Sequence, residues 1–164
     1  MIKQKLKFIP FAAAFAWILF TSIDVFAAYQ GWHLVDSGKH LDYDGNSAYM
    51  SYVKTAASTW NGYKSGVIRK DSLTVIEDVY ISDYNEQSNT IGYTSSAGQI
   101  KFNEYHFKDM TFSQRLHTVT HEMGHALGLD HTSGSSDVMK QGKLTNTSLS
   151  STDKSSYDEC YKKY

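Results

Sequence analysis

The chain has 164 residues, of which 41% are hydrophobic and 20% charged, and its formal net charge is -1. That length gives one domain with a real core, and that composition excludes a disordered chain. A near-neutral balance gives no electrostatic reason to expect nucleic acid or an anionic membrane as a partner.

The first segment differs from the rest. Lys3, Lys5 and Lys7 precede an almost wholly apolar run at residues 8–20, and Val25-Phe26-Ala27 closes it with small residues at the peptidase positions. This is the pattern of a secretory signal peptide over residues 1–27, cut after Ala27. An uncleaved anchor is disfavoured, because the run is shorter than the roughly 20 residues a span needs. The expected mature domain, residues 28–164, has a single Cys, Cys160, and no Pro, because Pro10 is the one proline of the chain. One Cys cannot form an internal disulfide, so this domain must stand on its core, with or without a metal.

Residues 31–43 alternate loosely and predict a first strand, followed by a turn at Asp44-Gly45-Asn46. Ala48, Tyr49, Tyr52, Val53, Ala56 and Trp60 share one face of a helix over residues 47–60, stopped by Asn61-Gly62. Strands are predicted at residues 67–68, 73–81, 91–94 and 99–103. Thr111 and Gln114 have capping-box spacing, and Leu116, Val119, Met123, Ala126 and Leu127 form a helical stripe ended by Gly128. A loop over residues 131–147 leads to a last helix at 150–164, capped by Ser151 or Thr152. Cys160 falls there with Tyr157, Tyr161 and Tyr164 at helical spacing, which makes it a packing residue. The order implies an α/β (α+β) domain: a mixed sheet with helices.

Chemistry concentrates in His121-Glu122-Met123-Gly124-His125-Ala126-Leu127-Gly128-Leu129-Asp130-His131. Two His at i and i+4 are about 40° apart around a helix, so His121 and His125 can offer nitrogens to one ion. Glu122 projects about 100° away, out of that ligand set but within reach of water beside the metal. A continuing helix would carry His131 about 9 Å further along the axis. The chain must therefore turn back, and Gly128 allows it at little cost. Three His with an open fourth position describe a catalytic zinc site, with Glu122 as the general base.

The stretch resembles the metzincin metallopeptidases, whose signature is HExxHxxGxxH followed by a Met-turn. Met139, in Ser136-Asp137-Val138-Met139, fits the Met of that turn, a hydrophobic floor and not a ligand. Thr132, directly after the third His, makes the chain most similar to the matrixins. Gln141, two residues after the Met, replaces the Tyr that some metzincins place there. Lys140-Gln141 also departs from the matrixin Tyr-Pro, which leaves the specificity pocket undefined. The resemblance implies a metzincin-like catalytic domain with a twisted mixed sheet, an active-site helix, a Met-turn and a C-terminal helix. It implies a secreted zinc endopeptidase, with His121, His125 and His131 on the metal and Glu122 as base, acting as a monomer on polypeptide substrates. Residues 99–103 would be the edge strand that receives the substrate.

Some readings stay open. Asp42-Tyr43-Asp44-Gly45 is suggestive of calcium but reads more simply as a turn. His117, one helical turn before His121, is either a positioning group or a polar residue beside the cleft. His33, His40 and His106 lack ligand spacing. The alternative from another class is a secreted binding or toxin-like protein that keeps the zinc fold without proteolysis.

Overall fold

The computed structural model describes residues 28–72 and 76–164, so the expected signal peptide, residues 1–27, lies outside the described residues. The element order is β1 (Leu41–Gly45), α1 (Met50–Asn61), β2 (Ile68–Lys70), β3 (Val79–Tyr84), β4 (Gly92–Ser95), β5 (Gln99–Asn103), α2 (Glu104–Phe107), α3 (Phe112–Ala126) and α4 (Ser151–Tyr161). The strands form one sheet in the order β2-β1-β3-β5-β4. All neighbouring pairs are parallel except β4 with β5, which are antiparallel.

Alternation decides which face of the sheet is covered. In β5, Ile100 and Phe102 are buried, while Gln99 and Lys101 point the other way. Val53, Ala56 and Trp60 of α1 and Val119 and Met123 of α3 join them in one core. Each Val, Ile, Phe or Met side chain among them contributes about 1.5–3 kcal/mol relative to exposure. Trp60 is fully buried, and its indole N–H donates to the Thr120 carbonyl of α3 at 3.0 Å. That bond satisfies the only polar atom of the ring and fixes α1 against the helix that carries the histidines. Tyr157 and Cys160 of α4 are also fully buried in this core, as their spacing implied.

Several boundaries differ from the sequence expectation. The first strand begins at Leu41, not at residue 31. The segment before it pairs instead with the residues that follow α3: Gln30 N–H donates to Gly128 O, Leu34 N–H to Ala126 O, and Asp130 N–H to Ala28 O. Its alternation is real, but its partner is a helix end and not the sheet. Asp44 and Gly45 belong to β1 and are not a turn. A side chain at Gly45 would run into the Ile81 carbonyl of β3, so glycine is required there by close approach. β3 starts later than expected and reaches Tyr84, and residues 73–75 of the expected strand lie outside the described residues. The cap of α4 is Ser150, in a capping box with Asp153, and not Ser151 or Thr152.

The largest correction concerns the sheet edge. β5 lies between β3 and β4, so β4 is the edge strand. The sequence placed the right segments in strands but could not order them, because a hairpin places its strands side by side without saying which one meets β3. Among the described residues, no helix is long and apolar enough to cross a membrane.

Candidate metal centre

α3 is built to hold a fixed register. Thr111 Oγ1 accepts the Gln114 N–H at 3.3 Å, and Gln114 Oε1 accepts the Thr111 N–H at 2.9 Å. The capping box sets where the helix starts, and so which residues face the core. Leu116, Val119, Met123, Ala126 and Leu127 are all buried as the stripe requires. His121 and His125 follow on the cleft side. At Gly128 the chain turns with φ +93°, a conformation glycine adopts without penalty. The Leu129 backbone then bridges to Tyr29, and His131 returns over the helix end.

The three imidazoles meet. His125 Nε2 lies 3.1 Å from His121 Nε2 and 3.1 Å from His131 Nε2. His121 Nδ1 is 2.8 Å from the Val138 carbonyl, and His125 Nδ1 is 2.8 Å from the Leu129 carbonyl. A carbonyl only accepts, so both Nδ1 atoms carry the proton, and both Nε2 atoms present a lone pair where the three rings gather. Bare lone pairs at that separation repel, and a cation between them removes the repulsion. Two ligands on a tetrahedral zinc ion with arms of about 2.0 Å lie about 3.3 Å apart, so the donor set fits. Burial pushes the His121 ring down to about 3, helped by the like charge of a protonated His125 and opposed by the Val138 carbonyl. Burial also lowers His125. Both shifts favour the neutral, ligating form.

Glu122 lies in the same cleft wall and is almost fully buried. Burial raises its carboxyl to about 7, while the Thr94 hydroxyl, hydrogen-bonded to Oε2 at 2.8 Å, pulls it the other way. A carboxylate near neutrality is suited to take up and release a proton. The cleft encloses about 550 Å³, and its walls include Gly92, Tyr93 and Thr94 of the edge strand β4, the three histidines, Glu122 and Gln141.

Below the histidines lies Met139, fully buried. A side chain at Gly124 would collide with Met139 Sδ and come within 2.9 Å of Trp60 Cζ2. Gly124, between the two helical histidines, is therefore the notch that Met139 fills. The turn that carries Met139 is held by Asp153 of α4, whose carboxylate accepts Val138 N–H at 2.9 Å and Met139 N–H at 3.1 Å.

The remaining histidines stand apart. His117 is buried beside the cleft with its ring centre 6.0 Å from that of His121, and its Nδ1 faces the Asn146 carbonyl at 2.8 Å. It hydrogen-bonds none of the three grouped histidines. His106 faces the Ser88 carbonyl, His40 sits beside Asp36, and His33 packs on Tyr164. Asp36, Asp42 and Asp78 also gather, but the Arg69 guanidinium forks onto Asp42 at 2.8 and 2.7 Å and supplies the opposing charge. Asp44, part of the suggestive acidic stretch, is not in that group.

Sequence reasoning missed Thr94, Asp153 and Gln30. Gln30 lines the cleft and hydrogen-bonds the His125 carbonyl from the segment ahead of β1. Only Asp153 had a local signal, the Ser150-x-x-Asp spacing of its capping box.

A family model of the matrixin peptidases matches residues 40–162. No curated protein sequence matches the chain. Among solved structures, the chain is similar to archaemetzincin from Methanopyrus kandleri, at 13% identity and a TM-score of 0.58, covering 78% of this chain and 99% of that one. It is also similar to myroilysin, at 16% identity and a TM-score of 0.50, covering 73% of this chain and 90% of that one. At such identities the likeness is one of fold.

Proposed function

The chain belongs to the matrixin family of zinc metalloproteases, and we propose that His121, His125 and His131 hold its zinc while Glu122 is the general base for cleavage of internal peptide bonds. The observation that carries the reading is the convergence of three imidazole nitrogens, two of them with the other ring nitrogen committed to a carbonyl, beside a buried carboxylate. Zinc, when bound, supplies Lewis acidity: it polarises a peptide carbonyl and acidifies water.

The chain's own residues do the rest. Glu122 takes a proton from water and returns it to the leaving amine, a role its raised affinity for protons near neutrality supports. The Val138 and Leu129 carbonyls fix the ring orientation of His121 and His125, as partners behind metal ligands commonly do. An extended polypeptide lies along β4, the edge strand that borders the cleft, and pairs with its free backbone groups. The protein acts as a monomer outside the cell, after loss of residues 1–27.

The test pairs wild type with Glu122→Gln and measures bound zinc and casein cleavage. Both proteins are expected to bind about one zinc, and the variant to turn over at least about 10²-fold more slowly, the scale of a lost general base. Full activity of the variant would remove Glu122 from the mechanism. Absence of zinc from correctly folded wild type would overturn the metal assignment. N-terminal sequencing of protein from the growth medium, expected to begin at Ala28, tests the secretion part.

A further inference from the structure

Glu122 is held by one side chain. Thr94 Oγ1 lies 2.8 Å from Glu122 Oε2 and 2.9 Å from the Glu122 main-chain oxygen. Both neighbours of the hydroxyl are acceptors when the carboxyl is ionised, so Thr94 is the donor, with its one proton directed between them. Glu122 Oε1 makes no hydrogen bond to any described residue. The strand fixes the aim of Thr94. It pairs with Ile100 of β5, while its neighbour Tyr93 pairs with Lys101 and turns to the opposite face. β4 thus presents a hydroxyl to α3 at the height of Glu122, from the edge strand that borders the cleft.

We propose that Thr94 is the positioning residue of the general base: its hydroxyl pins Oε2 of Glu122, so that Oε1 is the oxygen left to exchange the proton. The inference rests on the assignment of Glu122 as base in the preceding section. The terminal torsion of a glutamate is broad and roughly two-fold, so a carboxylate without the pin samples orientations in which neither oxygen is directed. Loss of the pin should then act on the chemical step and leave substrate binding alone, because the hydroxyl is committed to Glu122. It also ties the edge strand to the active helix.

The test uses Thr94→Val, which keeps the shape and removes the hydroxyl, and Thr94→Ser, which keeps the hydroxyl. With zinc bound, Thr94→Val is expected to lower kcat about tenfold or more with KM and zinc affinity within about twofold, and Thr94→Ser to stay within about threefold of wild type. A second readout needs no turnover. In zinc-free protein, Thr94→Val should change the urea unfolding constant at least about threefold more in the wild-type background than in Glu122→Ala, as a hydrogen bond to the Glu122 side chain requires. Thr94→Ala takes the place of Thr94→Val in both measurements if the latter does not fold. Wild-type kcat in the hydroxyl-free variant, equal losses in Val and Ser, or no coupling to Glu122 would each overturn the proposal. If Glu122→Gln is itself fully active, the base assignment fails first. If that variant is inactive and Thr94→Val is not impaired, only the positioning role fails.

Discussion

Replacing Asp153 by Ala should unlatch the floor of the metal centre from the last helix. Asp153 has no exposed surface, and its carboxylate accepts three backbone N–H groups: Val138 at 2.9 Å, Met139 at 3.1 Å and Ser150 at 2.9 Å. Val138 and Met139 are themselves fully buried, so no water replaces the lost acceptor. A buried donor left unsatisfied costs about 1–3 kcal/mol, and the lost reciprocal bond at the α4 cap costs about 1 kcal/mol more. For the two buried donors, Val138 and Met139, plus the cap, the sum is roughly 3–7 kcal/mol, a large share of the about 5–15 kcal/mol that stabilises a domain. The damage should also reach the histidines, because the Val138 carbonyl holds His121 Nδ1. Displacing such a partner typically weakens metal binding about 10–100-fold. Urea unfolding of zinc-free protein and a zinc competition titration measure the two effects. Asp153→Asn, which keeps one acceptor but turns an amide N–H toward donors, should fall between. A loss below about 1 kcal/mol with unchanged zinc affinity would refute the view that Asp153 holds the turn in place.

Gly128→Ala should cost about 1–3 kcal/mol, from a side chain held at φ +93° and pressed to 3.1 Å from the Trp32 carbonyl. Because Gly128 returns the chain to His131, zinc affinity should fall with stability, and affinity equal to wild type would show that the turn does not depend on glycine. A pH series on zinc-free protein tests the burial of Glu122. Its carboxyl is raised from the ordinary 4.5 to about 7, so the folded state keeps a proton that the unfolded chain releases between those values. Stability contributed by this group is therefore present below about pH 4.5 and lost as pH rises through about 7. Glu122→Gln should match wild type near pH 4 and be more stable near pH 8, by at most about 3 kcal/mol. His121 shifts in the opposite direction but is present in both proteins, so it drops out of the difference to first order. A difference that does not grow with pH would mean Glu122 is better solvated than its burial implies.

The parts that could be read in the sequence were those whose cause is local. α3 was legible because three independent signals agree on it: the Thr111–Gln114 box, the stripe from Leu116 to Leu127, and Gly128 where a left-handed turn is needed. β5 was legible because Ile100 and Phe102 alternate with polar neighbours. The segment ahead of β1 was misread because alternation reports an extended chain and not its partner, and Leu34 pairs with Ala126 instead of a strand. Sheet order is unreadable for the same reason: alternation marks residues 99–103 as a strand but does not reveal that β4, and not β5, is the edge.

The candidate site divides along the same line. The spacing of His121, Glu122, His125 and His131 is a property of one helix and one turn, and a single stretch of sequence carries it. What orients those side chains comes from elsewhere: Thr94 is 28 residues from Glu122, and Val138 is 17 residues from His121. Leu129 alone is near its histidine in sequence, and it reaches the ring because Gly128 turns the chain. A helix bearing His121, Glu122 and His125 but lacking β4 and the 129–139 segment would present two ring nitrogens with free tautomers, no His131 beside them and an unheld carboxylate. The motif therefore points to the chemistry, while the edge strand and the Asp153-bound turn bring the candidate ligands and Glu122 into one preorganised cluster.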